Sequence, residues 1–166
     1  KWEKEGYSDS QSFQTVIHPD QMYTGNGKVK LTSISESNGY DEEVVLWNEL
    51  TPEINVKVNA PKEGLYQIHI DYYALPGKIT SVERGLQINN KYPYFESRRL
   101  VFPRLWANES EQSQRDELGN EVFSKQVEKS EWQSAQLTDA SYLNDQPLKF
   151  HLKQGSNEIK LLYMRE

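Results

Sequence analysis

The stretch that most limits how this chain can fold is 53–73, EINVKVNAPKEGLYQIHIDYY. Ile54, Val56 and Val58 alternate with Asn55, Lys57 and Asn59; further on, Tyr66, Ile68, Ile70 and Tyr72 alternate with Gln67, His69, Asp71 and Tyr73. Successive side chains of a strand point to opposite faces, so a period of two buries one set and leaves the other in water. Pro61-Lys62-Glu63-Gly64 separates the halves. Proline fixes φ there and glycine accepts a positive φ. The expectation is an antiparallel pair of strands joined by this turn, in a sheet with one wet side. Such a pair would bring its outer ends, Trp47 and Tyr73, together at one end of the molecule.

The same signals recur along the chain. Val29 and Leu31 share a phase, 44–47 is a short apolar run (VVLW), and Leu86 and Ile88 share a phase with Arg84, which spoils the apolar set. Leu148, Phe150 and Leu152, then Ile159, Leu161 and Tyr163, flank Gln154-Gly155-Ser156-Asn157 and read as a closing hairpin. Phe13–Ile17 reads as a first strand, and 125–136 as a strand pair or one long edge strand. Turns are expected at Asn38-Gly39, at Asn89-Asn90-Lys91 and at the tip 116–120 of a long polar interval, 107–123. Pro103 demotes 98–106 to an edge strand or a bulge, because proline cannot donate to a ladder. No pattern supports a helix of three turns, and no repeat is present. Many short strands between turn signals indicate an all-β fold, an antiparallel β-sandwich. A length of 166 residues fits one domain, with 1–12 a flexible or linker end and 13–166 the sandwich. The chain opens on Lys1-Trp2 and closes just after an apolar run, which suggests a segment of a longer protein.

Composition narrows the function. The net charge of −6 and the pI near 5.2 argue against nucleic-acid binding, which needs a concentrated Lys/Arg field. No cysteine is present, so disulfides and thiolate metal sites are excluded. No apolar run is long enough to span a bilayer, so direct membrane insertion by this segment is not expected. There is no G-x-S-x-G elbow and no H-E-x-x-H helix. Neighbouring carboxylates such as Glu42-Glu43 point to opposite sides of a strand and do not make an acid/base pair. The chain is therefore read as non-catalytic. His69 and His151 lie on the polar phase of their strands, which reads as a solvated face rather than a metal site. Loops 36–43 and 139–145 have oxygen ligands enough for calcium but no EF-hand spacing, so solvated acids are the plainer reading and no cofactor is assigned.

Aromatic residues make up 11% of the chain, with 10 Tyr and 4 Trp. Tyr40, Trp47, Tyr73, Trp106 and Trp132 fall in loops or at strand ends. Rings placed there can stack on sugar rings while polar neighbours bind hydroxyls; alternatively they are core or rim packing, since Trp is highly buried on average. The candidate ligand-binding set is Tyr40, Trp47, Tyr73, Arg104, Trp106 and Asn108. Arg98, Arg99 and Arg104 flank Leu100, Val101 and Phe102. An arginine fork can hold a carboxylate, so these residues form either an ion-pair network with Glu83 or Glu96, or a site for an acidic ligand such as a uronic acid.

Three pieces carry a family resemblance: PKEGLYQIHIDYYALPGKITSVERGLQINNKYPYFESRRLVFPRLWANE (61–109), GNEVFSKQVEKSEWQ (119–133) and PLKFHLKQGSNEIKLLYMRE (147–166). They resemble a galactose-binding-like, carbohydrate-binding-module-like domain near the N-terminus of large bacterial extracellular solute-binding proteins of sugar-type ABC transporters. The resemblance covers roughly the C-terminal two-thirds of the chain. It implies a jelly-roll sandwich on a secreted, membrane-tethered lipoprotein, and carbohydrate plus the other domains of its own longer chain as partners. Two other roles stay open: a structural β-sandwich packing against the rest of its chain, and an accessory module of a secreted glycoside hydrolase.

Overall fold

A computed structural model describes residues 14–25, 27–32, 38–40, 42–109, 114–122, 125–137 and 147–165. Among them the regular elements are strands apart from two single 3-10 turns, Pro19–Gln21 and Glu96–Arg98. The strands are β1 (Met22–Thr24), β2 (Gly27–Lys28), β3 (Leu31–Thr32), β4 (Val44–Val45), β5 (Glu53–Ala60), β6 (Gly64–Tyr66), β7 (His69–Tyr73) and β8 (Val82–Ile88). They continue as β9 (Leu100–Phe102), β10 (Trp106–Asn108), β11 (Gln114–Arg115), β12 (Glu121–Val122), β13 (Gln126–Glu128), β14 (Trp132–Gln136), β15 (Phe150–Leu152) and β16 (Gly155–Arg165). No described helix is long and apolar enough to cross a membrane.

The fold is all-β, a sandwich of two layers. One layer is a six-stranded sheet in the order β2-β1-β5-β16-β8-β9, each neighbouring pair antiparallel. The other is built on the run 64–73, where β6 pairs with β15 and β7 with β14. The Leu137 amide donates to the Ile68 carbonyl and the Leu148 amide to the Leu137 carbonyl, joining the two ladders. Between the layers lies the core. Val58, Leu86, Phe102 and Ile159 come from the six-stranded sheet, and Tyr66, Phe150 and Leu152 face them. Leu86 and Phe150 are completely buried. At roughly 1.5–3 kcal/mol for each large apolar side chain removed from water, this shared face is what holds the layers together.

Both expected hairpins are corrected by this topology. β5 does not pair with β6 or β7; it pairs with β1 and β16. β15 does not pair with β16; it pairs with β6. Each linker therefore crosses from one layer to the other, and the two crossings stack, since Ala60 sits opposite Gly155 and Gly64 opposite Leu152. Alternation within a strand reports which face is buried and is silent about which strand lies alongside, so a hairpin and a crossing read alike. The chemistry inside the crossings is what sets them apart. Tyr66 is buried and its hydroxyl donates to the Lys62 carbonyl at 2.7 Å, tying off the first linker. Asn157 has the same phase as Ile159 and faces inward, 1% exposed. Its amide nitrogen donates to the Lys153 and Gly155 carbonyls, and its oxygen accepts from the Lys153 amide and the Asn89 side chain. Gly155, at φ 91°, supplies the left-handed backbone that lets this linker fold back on Asn157.

Other expectations survive. Asn89 and Asn90 have φ of 51° and 64°, and Ile88 and Lys91 exchange both backbone hydrogen bonds, which is a two-residue turn of the mirror-image type favoured by hairpin twist. Asn38-Gly39 is a turn with both φ positive. β9 lies at the sheet edge and stops at Pro103, as proline demands. The interval 107–123 contributes to a two-stranded ribbon, β10 on β13, and forms a separate two-stranded ladder, β11 on β12, whose turn is closed by Asp116. Hydrogen bonds from the Asn120 backbone and side chain hold the Asp116 carboxyl below its ordinary range. Residues 125–136 are neither a pair nor one strand: β13 joins the ribbon and β14 joins β7. Residues 14–17 form no strand, and Phe13 lies outside the described residues.

Asn157→Ala is expected to lower the unfolding free energy by about 2–4 kcal/mol, because it removes a buried side chain that makes several hydrogen bonds at once. Urea denaturation checks this; a loss below about 0.5 kcal/mol would show that the crossing does not need its plug.

Candidate functional site

β7 has two faces with different roles. Its inward phase, Ile70 and Tyr72, packs on the core. Tyr72 meets the Phe102 ring edge-on at 5.2 Å, and its hydroxyl donates to the Pro103 carbonyl at 2.8 Å, with Gln133 Oε1 a second acceptor at 3.1 Å. The strand is thus anchored to β9 from behind.

The outward phase is His69, Asp71 and Tyr73. Residues directly opposite in an antiparallel ladder share a face. Tyr73 is opposite Trp132, Asp71 opposite Ser134 and His69 opposite Gln136. These three cross-strand pairs form a strip, aromatic at one end and polar along the rest. Tyr40 closes over the aromatic end, its ring 4.4 Å from that of Trp132 and its hydroxyl donating to Asp71 at 2.7 Å. Tyr73 and Trp132 are 5.7 Å apart at a tilt of 55°. At the polar end the Gln136 amide nitrogen donates to Gln67 Oε1 at 3.2 Å and to His69 Nε2 at 3.1 Å. Asp71, Ser134 and Gln136 are exposed, and the rings are half-buried against one another. A cleft of about 1170 Å³ runs from between the layers round to this side of β7, with Tyr40, Asp71, Tyr73 and Trp132 on its wall.

The sequence-derived candidates divide. Tyr40 and Tyr73 lie in the strip. Trp47 faces the same cleft but covers Arg84: the guanidinium stands 4.4 Å from the Trp47 ring and 4.6 Å from that of Tyr163, and the indole N–H donates to the Thr51 carbonyl. Trp47 and Tyr73 thus share a cleft, though not through strand pairing, because β5 and β7 belong to different layers. Arg104 is buried among internal partners, the Thr80 and Leu75 carbonyls and Glu128. Trp106, 44% exposed, and Asn108 sit on β10 of the ribbon, and Trp106 does not line the cleft. The arginine cluster divides into separate contacts, Arg99 on Glu83, Arg104 on Glu128, and Arg98 against the Tyr92 and Phe95 rings. Asp71 and Ser134 complete the strip, together with Trp132, which is one of the loop aromatics but not of the candidate set. The polar alternation Trp132, Ser134, Gln136 could have placed them on one face, but only the register with β7 joins them to Tyr73.

His69 and His151 stand apart on separate ladders, His151 against Glu63 at 2.9 Å. Among the described residues no group of three or more His, Asp or Glu side chains is arranged to hold a metal. Loop 139–145 lies outside the described residues; in loop 36–43, Glu42 pairs with His18 at 3.1 Å. No family model, no curated protein and no solved structure matches this chain.

Burial pushes the Tyr72 phenol up to about 12. An unfolded tyrosine titrates near 10, so this group's contribution to stability is complete below about pH 10 and is lost as pH rises through about 12. Unfolding free energy is expected to fall over that window, and to fall less in Tyr72→Phe. Equal alkaline slopes in the two proteins would remove Tyr72 as the cause.

Proposed function

We propose that this domain is a non-catalytic carbohydrate-binding module, with the outer face of β7 and β14 as its binding surface. The observation that carries the reading is the Tyr40–Trp132–Tyr73 group standing beside Asp71 and Ser134 on one exposed strip. Sugar rings have apolar faces that suit such rings and hydroxyls that both donate and accept, which suits the neighbouring carboxylate, hydroxyl and amide groups. The sequence resemblance to the galactose-binding-like domain of extracellular solute-binding proteins supports the same class. On that reading the sandwich is a jelly roll that works outside the cell on a membrane-anchored sugar-capture protein, without a metal of its own.

One observation favours a second role for a different surface. Trp106 on β10 and Leu118 in the β11–β12 turn are exposed, Leu118 at 87%. Exposed apolar side chains of this size suit packing against another domain of the same chain.

The test is a glycan array followed by calorimetry with the glycan that binds. Trp132→Ala and Tyr40→Ala are expected to weaken binding about tenfold or more, as loss of a stacking anchor does. Trp106→Ala is expected to leave it unchanged. An array without a single hit at high protein concentration, or equal loss on Trp106→Ala, would overturn the proposal.

A further inference from the structure

The strip also has a length and a charge, and both select among sugars. This step rests on the proposed carbohydrate role. From Tyr73 to His69 is four residue steps, roughly 13 Å along the strand. That is well beyond the breadth of one pyranose ring. The binding groups are spread over the whole distance, aromatic at the Tyr73 pair, acidic and hydroxylic at the Asp71 pair, imidazole and amide at the His69 pair. A monosaccharide could meet only one of these pairs.

The charge is equally specific. Asp71 offers only acceptor oxygens, one of them already taken by the Tyr40 hydroxyl. His69 Nε2 lies 3.1 Å from the Gln136 amide nitrogen, at the far end of the strip from Tyr40. None of the residues on the strip is a lysine or an arginine. Lys129, just ahead of β14, is paired with Glu131 at 3.5 Å. The described arginines of the cluster that suggested an acidic ligand are turned to Glu83, Glu128 and two aromatic rings elsewhere. On the wall of the same cleft Glu42 and Glu43 add acidic charge beside His18. Arg84 and Lys149 also border the cleft; Arg84 lies buried between Trp47 and Tyr163, and Lys149 adjoins β15. A ligand carboxylate laid along β7 would meet Asp71 with no lysine or arginine among the described residues of the strip to offset it.

We infer that the outer face of β7 and β14 takes a neutral oligosaccharide lying along the strand, and turns away uronic-acid chains. The hydroxyls of a neutral chain can donate to Asp71, whereas a uronate carboxylate can only repel it.

The experiment measures binding of the whole domain to neutral xylan, glucan, mannan and galactan oligosaccharides of one to four units. Alongside them go oligogalacturonate and oligoglucuronate and their carboxyl-reduced forms. Neutral chains are expected to bind more tightly with each added unit up to three or four. Every uronate chain is expected to bind roughly tenfold or more weakly than its carboxyl-reduced form, as like-charge juxtaposition dictates. Asp71→Asn, which keeps an acceptor for Tyr40, is expected to narrow that gap by about tenfold. A uronate chain held as tightly as its reduced form, or a monosaccharide held as tightly as the tetramer, overturns the inference while leaving carbohydrate binding in place. Binding of neither class defeats the carbohydrate role itself, and this inference with it.

Discussion

The structure depends on two stacked crossings between its layers. β5 and β16 lie side by side along their length, from Ala60 opposite Gly155 to Glu53 opposite Leu162. Each then passes through a short linker into the facing layer, where β6 and β15 again lie side by side. Pairing is thereby kept on both sides of the turn. Such an arrangement closes one end of the sandwich, and the backbone groups of the crossings that turn towards the core need partners there. Asn157 and Tyr66 meet that need from inside, the first with four hydrogen bonds and the second with one to Lys62. Asn89 extends the plug: its side-chain oxygen accepts from the Glu158 amide while its amide donates to Asn157, so the β8 turn is joined to the same end.

From that closed end the chain emerges into β7 with its register already set. A shift of one residue would exchange the two faces of β7, placing Asp71 in the core and Tyr72 in water. The contacts behind the strand oppose that shift, Tyr72 on Phe102 and Pro103 and Ile70 on the core. The outward strip is therefore a consequence of the inward packing. The cleft wall carries a related solution to a harder problem. Arg84 has the inward phase of β8, and a buried charge is costly unless it is compensated. Trp47 and Tyr163 enclose its guanidinium and the Glu83 carbonyl accepts from it. An aromatic residue that looks like a ligand platform in the sequence is here the cover of a buried cation.

Much of this was legible in the residues themselves. Period-two alternation located the strands because one face of each is buried, and Asn89-Asn90 located a turn because both positions need positive φ. Pro103 located a sheet edge because proline has no donor. Pairing partners were not legible. Val58 and Tyr66 carry the same apolar pattern whether their strands form a hairpin or face each other across the core, and only long-range packing decides. The same gap hid the outward strip. Tyr40 and Tyr73 were chosen as aromatics near loops, but Trp132, Asp71 and Ser134 join them through a register spanning some sixty residues of chain. Arg104 looked like a ligand fork because sequence shows charge and not burial; its carbonyl partners at Thr80 and Leu75 are remote in sequence.

The central claim is that binding happens on the outward face of β7 and β14. The most direct measurement is a titration of the isotopically labelled domain with a neutral oligosaccharide, followed by amide and indole chemical shifts. Binding on this face is expected to concentrate shifts at Asp71, Tyr73, Trp132, Ser134 and the Trp132 indole, with Asn157 and the linkers unmoved. Shifts concentrated instead at Trp106 and Asn108 on the ribbon, or at Tyr92–Arg98, would contradict it.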